Sequence, residues 1–174
     1  MKGSYLVDGV EEHFSCGPGP LGWRYTSRNA HGDTLDLTLD TLGSVRRLEA
    51  DFDGWQVRGG VVGDEAVWVR GEQEHTATAS GFTGTSPAFD IAVSRLLALD
   101  VGAVVQVALV ELTSPVGAPI TVSHGWTRTA DPDPGVQRFE VADLATAERW
   151  VVHIAGEVVI SREGARPAVL ASLT

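Results

Sequence analysis

Between residues 33 and 40 the chain reads DTLDLTLD, with Leu35, Leu37 and Leu39 alternating with Asp36, Thr38 and Asp40. Successive side chains of a strand point to opposite faces, so a strict period of two makes this stretch a strand with one buried and one wet face. A helix, with a period of about 3.6, would set Leu37 nearly opposite Leu35 and Leu39. The half-wet pattern also selects an antiparallel sheet, because parallel strands are usually covered on both sides.

The same pattern recurs along the chain. Residues 5–14 and 22–29 are predicted as the first two strands, separated by Gly17-Pro18-Gly19-Pro20, and 45–52 continues the buried face through Leu48, Ala50 and Phe52. Asp53-Gly54 is a two-residue hairpin signal, because a type I′ turn needs positive φ at both positions and these residues tolerate it. Gly63-Asp64 is a second, joining 55–62 to 66–70. Beyond Gly102 strands are predicted at 103–112, 120–129, 136–143, 148–155 and 157–161, with a last one within 165–174. Gly156 turns one of these pairs, and Asp131-Pro132-Asp133-Pro134-Gly135 forms a loop. Turns at roughly 8–12-residue spacing over about twelve strands define a mostly β chain. No linker divides residues 1–174, so the expectation is one domain, a curved antiparallel sheet forming an open or half β-barrel.

One segment breaks the pattern. His75 to Ser80 leads into a helix, with Ser86 as the N-cap, Pro87 at the first helical position and Gly102 as the stop. Phe89, Ala92, Val93, Leu96, Leu97 and Leu99 recur at helical spacing, while Asp90, Ser94 and Arg95 form only a narrow polar strip. A helix so apolar has to be covered on most of its circumference. In a chain of strands that means lying against the concave face of the sheet, with a groove beside it where small molecules commonly bind.

The formal charge of −10, from 13 basic and 23 acidic residues, excludes nucleic acid as a partner, because that needs a clustered basic surface. No apolar run approaches the ~20 residues of a transmembrane helix. The first residues, MKGSYLVDGVEEHF, lack the apolar stretch of a secretory signal, so the expected location is cytoplasmic. Cys16 is the single cysteine, which excludes an intramolecular disulfide and a cysteine-based zinc site.

Catalytic and metal signatures are missing from the sequence. His13, His31, His75, His124 and His153 share no ligand spacing, although His75, His124 and His153 stay open to convergence in space. Asp51-Phe52-Asp53-Gly54 begins like a calcium loop but lacks its later ligands. Asp36 and Asp40 lie on the wet face of their strand rather than as a catalytic carboxylate pair. No serine-elbow, phosphate-loop or dinucleotide motif occurs. No catalytic residue, metal or cofactor is expected. The five tryptophans include Trp55 and Trp68 on adjacent hairpin strands, where they either fill the core or wall a groove.

One stretch resembles a known family. Phe82-Thr83-Gly84-Thr85-Ser86-Pro87, then Arg95-Leu96, then Gly102 before the valine-rich 104–112, then Pro119 through Trp126-Thr127-Arg128, is similar to the pattern of a bacterial family described as glycolipid-binding. Gly81 and Gly84 stand where that pattern has proline and asparagine, and the gap from Pro87 to Arg95 is longer. The resemblance implies a curved sheet partly wrapped around a helix, like the lipoprotein carriers that ferry acyl chains, and brings no catalytic residues. The expected function is therefore non-enzymatic binding of an apolar or glycolipid-like molecule between sheet and helix. Trp55, Trp68, Phe82, Phe89 and Trp126 would supply apolar wall, Thr83 and Thr85 flank it, and Arg95 or Arg128 would meet a polar head. Two alternatives stand beside it. One is a structural or interaction protein with no cavity, pairing through its sheet edges as a homodimer. The other is a cyclase- or hydrolase-type enzyme that sets His75 or His124 beside a carboxylate in the same groove.

Overall fold

The computed structural model describes residues 1–174. Its elements in chain order are β1 (Lys2–Val7), β2 (Val10–Gly19), β3 (Gly22–Asn29), β4 (Thr34–Asp40), β5 (Val45–Phe52), β6 (Trp55–Val62), β7 (Glu65–Arg70) and β8 (Gln73–Thr78). There follow β9 (Gly81–Thr83), α1 (Ala88–Leu97), β10 (Val104–Thr113), β11 (Ala118–Asp133), β12 (Val136–Asp143), β13 (Arg149–Ala155), β14 (Val158–Gly164) and β15 (Ala168–Leu173). One sheet takes all fifteen strands, in the order β8-β7-β6-β5-β4-β3-β2-β1-β15-β14-β13-β12-β11-β10-β9. Hairpins join most neighbours, β1 pairs with β15 across the two chain ends, and only the short β9 runs parallel to its neighbour β10.

The two edges of this sheet, β8 and β9, are consecutive in the chain, separated by Ala79 and Ser80 alone. At about 3.3 Å per residue that link spans roughly 10 Å, so the sheet curls until its edges approach without pairing. Contacts across the gap agree. Arg70 on β7 donates to the Val116 carbonyl in the turn after β10, at 3.3 Å. In the same turn Gly117 leaves space that Phe52 of β5 occupies, since a methyl there would stand 2.5 Å from the ring.

Inside the curl, alternate residues make the core: Leu35, Leu37 and Leu39 of β4 are buried as their spacing requires, with Leu48 and Ala50 of β5 opposite. Tyr5, Phe14 and Tyr25 stack in turn across β1, β2 and β3, with ring centroids 4.6 and 5.5 Å apart. These are the chain's two tyrosines, and burial pushes both phenols above their ordinary value of 10.0, Glu12 adding to the effect by repulsion. A phenol whose folded pKa is raised gives stability that is full below the unfolded value and is lost as pH rises beyond it. In an alkaline titration, phenolate absorbance is expected to stay flat through pH 10 and to rise only in step with unfolding. A rise that precedes loss of the circular-dichroism signal would contradict this core.

The helix is buried through its first two turns, Ala88 to Ser94, and packs against β9 and β14. Asp90 and Ser94, expected on a polar strip, are as buried as the apolar face. Its end fits closely under the β4–β5 turn. Gly43 has φ +84°, and a methyl there would lie 2.5 Å from the Leu96 amide nitrogen.

Several expectations shift. The strand number is fifteen, not about twelve. Residues 5–14 are not one strand, because Asp8 and Gly9, both at positive φ, turn the chain between β1 and β2. The Gly17–Pro20 run does not interrupt β2, which extends to Gly19 with Pro18 opposite Trp23. The stretch before the helix holds β8 and β9. Pro87 occupies the N-cap position, and the Ser86 hydroxyl accepts from the Ala88 amide at 3.4 Å while donating to Glu12. The helix stops at Ala98, in left-handed conformation, before Gly102 is reached. β11 runs on through a register shift into the expected Asp131–Gly135 loop. The Asp53-Gly54 and Gly63-Asp64 turns lie where the sequence places them. Asp40 is a turn former whose carboxylate accepts from the Leu42 and Ser44 amides. No helix is long and apolar enough to cross a membrane.

Candidate functional site

Antiparallel neighbours alternate their turns between the two ends of the curl. The turns after β1, β3, β5 and β10 therefore share one end, and between them opens a cavity of about 590 Å³. Its wall is mainly polar, with Ser27, Asn29, Thr34, Thr85 and Thr113 beside the apolar Val7, Val10, Leu35, Phe52 and Leu112. The carboxylates facing it are Asp8, Glu12, Asp33 and Asp53, with His31 at the rim.

Glu12 is the centre of this site. It lies on β2 in the phase of Phe14 and Cys16, the inward phase, and is only 6% exposed. Its Oε1 accepts hydrogen bonds from the Tyr25 hydroxyl at 2.8 Å and the Ser86 hydroxyl at 2.7 Å. No donor of the protein reaches Oε2, which keeps solvent access on the cavity side. A buried carboxylate with one oxygen fixed and the other open is a preorganised acceptor, because its orientation is set before anything binds. Asp33 differs. Its oxygens accept from the Asn29 amide at 2.8 Å and the Asp53 backbone N–H at 3.0 Å, so it braces two turns of the rim.

Behind the cavity the start of the helix is held by a buried ion pair. Arg162 of β14, 2% exposed, donates through Nη1 to Asp90 at 2.7 Å, through Nη2 to the Thr85 carbonyl at 2.5 Å, and through Nε to the Arg166 carbonyl. Burial pushes the Asp90 carboxyl up, and the Arg162 guanidinium pulls against it. Arg166 pairs with Glu111 and lies over the Trp150 ring at 4.9 Å.

The three histidines left open by the sequence do not converge. His75 stacks on Trp68, His153 meets Ser161 at 3.1 Å, and His124 is fully buried 3.9 Å from Asp143 with no hydrogen bond to either ring nitrogen. Burial holds the His124 imidazole down at about 4, Arg166 acts in the same direction, and Asp143 opposes both. A depressed base is neutral in the folded chain, while the unfolded one takes a proton below its ordinary 6.5. Stability should therefore fall as pH drops from 6.5 towards about 4, by about 3 kcal/mol from this one group. Asp143, held below 3.8, loses its contribution only at lower pH. Comparing urea midpoints of wild type and His124→Gln across that window should show the shallower slope in the variant; equal slopes would rule the assignment out.

The residues singled out in the sequence have separate places. Phe82, Phe89, Trp68 and Trp126 are buried in the core, and Thr83 is buried beside them on β9. Trp55 is half exposed under the Arg70 guanidinium at 3.9 Å. Arg95 reaches Glu157 at 3.4 Å and lies over Trp23, at the far end of the helix. Arg128 is tied to Asp131 at 2.6 Å. Thr85 alone among them lines the cavity. Sequence reasoning missed Glu12, although a signal exists: once Asp8-Gly9 is read as a turn, an acidic residue stands in the apolar phase of β2. No group of three His, Cys, Asp or Glu side chains is arranged to hold a metal ion.

Fold and site together define a class: a single large, mostly antiparallel sheet, curled but not hydrogen-bonded shut, with one buried helix and a polar cavity at one end. The crystal structure of a DUF1089 family protein from Pseudomonas aeruginosa has a similar fold, with a TM-score of 0.59 over 94% of this chain and 89% of that one, at 17% sequence identity. No protein-family model matches the chain, and no curated protein does either.

Proposed function

We propose that this protein is a non-enzymatic binding module, a half-barrel around a helix that takes the head of a small glycolipid-like molecule into its end cavity. The observation that carries the reading is Glu12, nine-tenths buried, with Oε1 fixed by two hydroxyls and Oε2 open to about 590 Å³ of space. That volume lies within the usual range for small-molecule sites. Hydroxyl and amide side chains on the wall suit a hydroxylated head, and Val7, Val10, Leu35, Phe52 and Leu112 offer apolar area to the start of a chain. Helix α1 fills the rest of the hollow, so the cavity suits a head and a short stretch of tail.

Calorimetric titration with octyl glucoside below its micelle concentration, beside native mass spectrometry of the gently purified protein, tests this. Saturable binding of one molecule is expected, abolished in Ser27→Trp, which fills the cavity from β3. An adduct-free mass, with no binding of any amphiphile to a folded sample, would overturn the proposal. The reading without a ligand, a structural or interaction protein, draws on the filled helix–sheet interface and would then be preferred.

A further inference from the structure

Resting on that reading, we infer that the cavity selects a ligand whose head carries a protonated amine. The wall contains Asp8, Glu12, Asp33 and Asp53 and no lysine or arginine. Behind it Arg162 is committed to Asp90 and Arg166 to Glu111, and the Arg28 guanidinium lies beside Gly32 at the rim, outside the wall. Asp33 is occupied by its rim contacts, and Asp8 and Asp53 sit exposed at turn corners, where solvent screens them. The selective element is therefore Glu12.

Three features of Glu12 favour an ammonium over a neutral hydroxyl. Its Oε1 already accepts two bonds from neutral donors, and Oε2 presents lone pairs with no protein donor to meet them. A primary ammonium brings three donors and a charge, so its bond to Oε2 is charge-assisted, roughly twice as strong as a neutral one. Burial keeps water from weakening the pairing as it would at the rim. The surrounding serine, threonine and asparagine groups remain available for hydroxyls on the same head. The shared chemistry is an ammonium beside hydroxyls, whether it comes from an amino sugar on a lipid or from a free amino sugar.

The test uses octylamine and octyl glucoside, which share a tail and differ in the head, with free glucosamine as a third probe, each titrated into wild type and Glu12→Gln. Glutamine keeps the size and can still accept from Tyr25 and Ser86. Octylamine is expected to bind wild type roughly ten- to hundredfold more tightly than octyl glucoside, and Glu12→Gln should remove that preference. Binding of glucosamine alone with the same Glu12 dependence would assign the site to the free sugar; binding only of octylamine would assign it to an amphiphile. Non-specific attraction of a cation to a chain of charge −10 would survive the loss of one carboxylate, so a preference unchanged in Glu12→Gln overturns the inference. Equal or tighter binding of octyl glucoside also overturns it, yet leaves the binding function standing. If no probe binds, both fall.

Discussion

Replacing Arg162 with alanine is expected to destabilise the chain by about 3–5 kcal/mol, because it leaves a buried carboxylate without its partner. The guanidinium is 2% exposed and joins three separate segments: Asp90 on the helix, the Thr85 carbonyl before it, and the Arg166 carbonyl in the turn after β14. Without it Asp90 has to take a proton or draw in water, and the helix loses the tie that fixes its start beside the cavity. Replacing both partners by apolar residues, as in Asp90→Leu with Arg162→Met, should recover part of the loss, since a buried pair exchanged for apolar groups of similar volume is often nearly neutral. Urea denaturation of wild type, both single variants and the double variant checks this. Near-additive losses would mean that the pair does not act as a unit, and that the helix is placed by apolar packing alone.

The same pair shows what could be read from the sequence and what could not. The antiparallel strands were legible because their pattern is local: Leu35, Leu37 and Leu39 report a buried face from within one strand, and Asp53-Gly54 reports its own turn. The site was not legible, because it depends on residues far apart in the chain that meet only when the sheet curls. Glu12 and Ser86 are separated by 74 positions, and Asp90 and Arg162 by 72. From the sequence Asp90 belongs to the narrow polar strip of the helix. In the fold that strip faces β14, where Arg162 stands in the buried phase. Charged residues in apolar phases, Glu12 and Arg162 in their strands, are the trace that the site leaves in the sequence. Aromatic residues are a poorer guide, since Trp23 and Trp126 are fully enclosed and Trp55 is not.

Phe82→Ala separates the two roles open to the segment that resembles the glycolipid-binding pattern. Phe82 lies on β9, fully buried, opposite Val110 and against the bare backbone of Gly59 on β6, where a methyl would come within 3.2 Å of its ring. It therefore spans the gap between the two halves of the curled sheet, filling space that no hydrogen-bonded strand closes. Truncation should cost about 3–5 kcal/mol, the usual loss for a large aromatic cut back in a packed core. The end cavity is lined by other side chains, so octylamine and octyl glucoside should bind the folded variant as they bind wild type. A chemical-denaturation curve gives the first quantity, and calorimetry at a temperature where the variant stays folded gives the second. If Phe82→Ala instead keeps its stability and loses ligand, the ring is a wall of the binding site, and the cavity at Glu12 is not where the ligand sits.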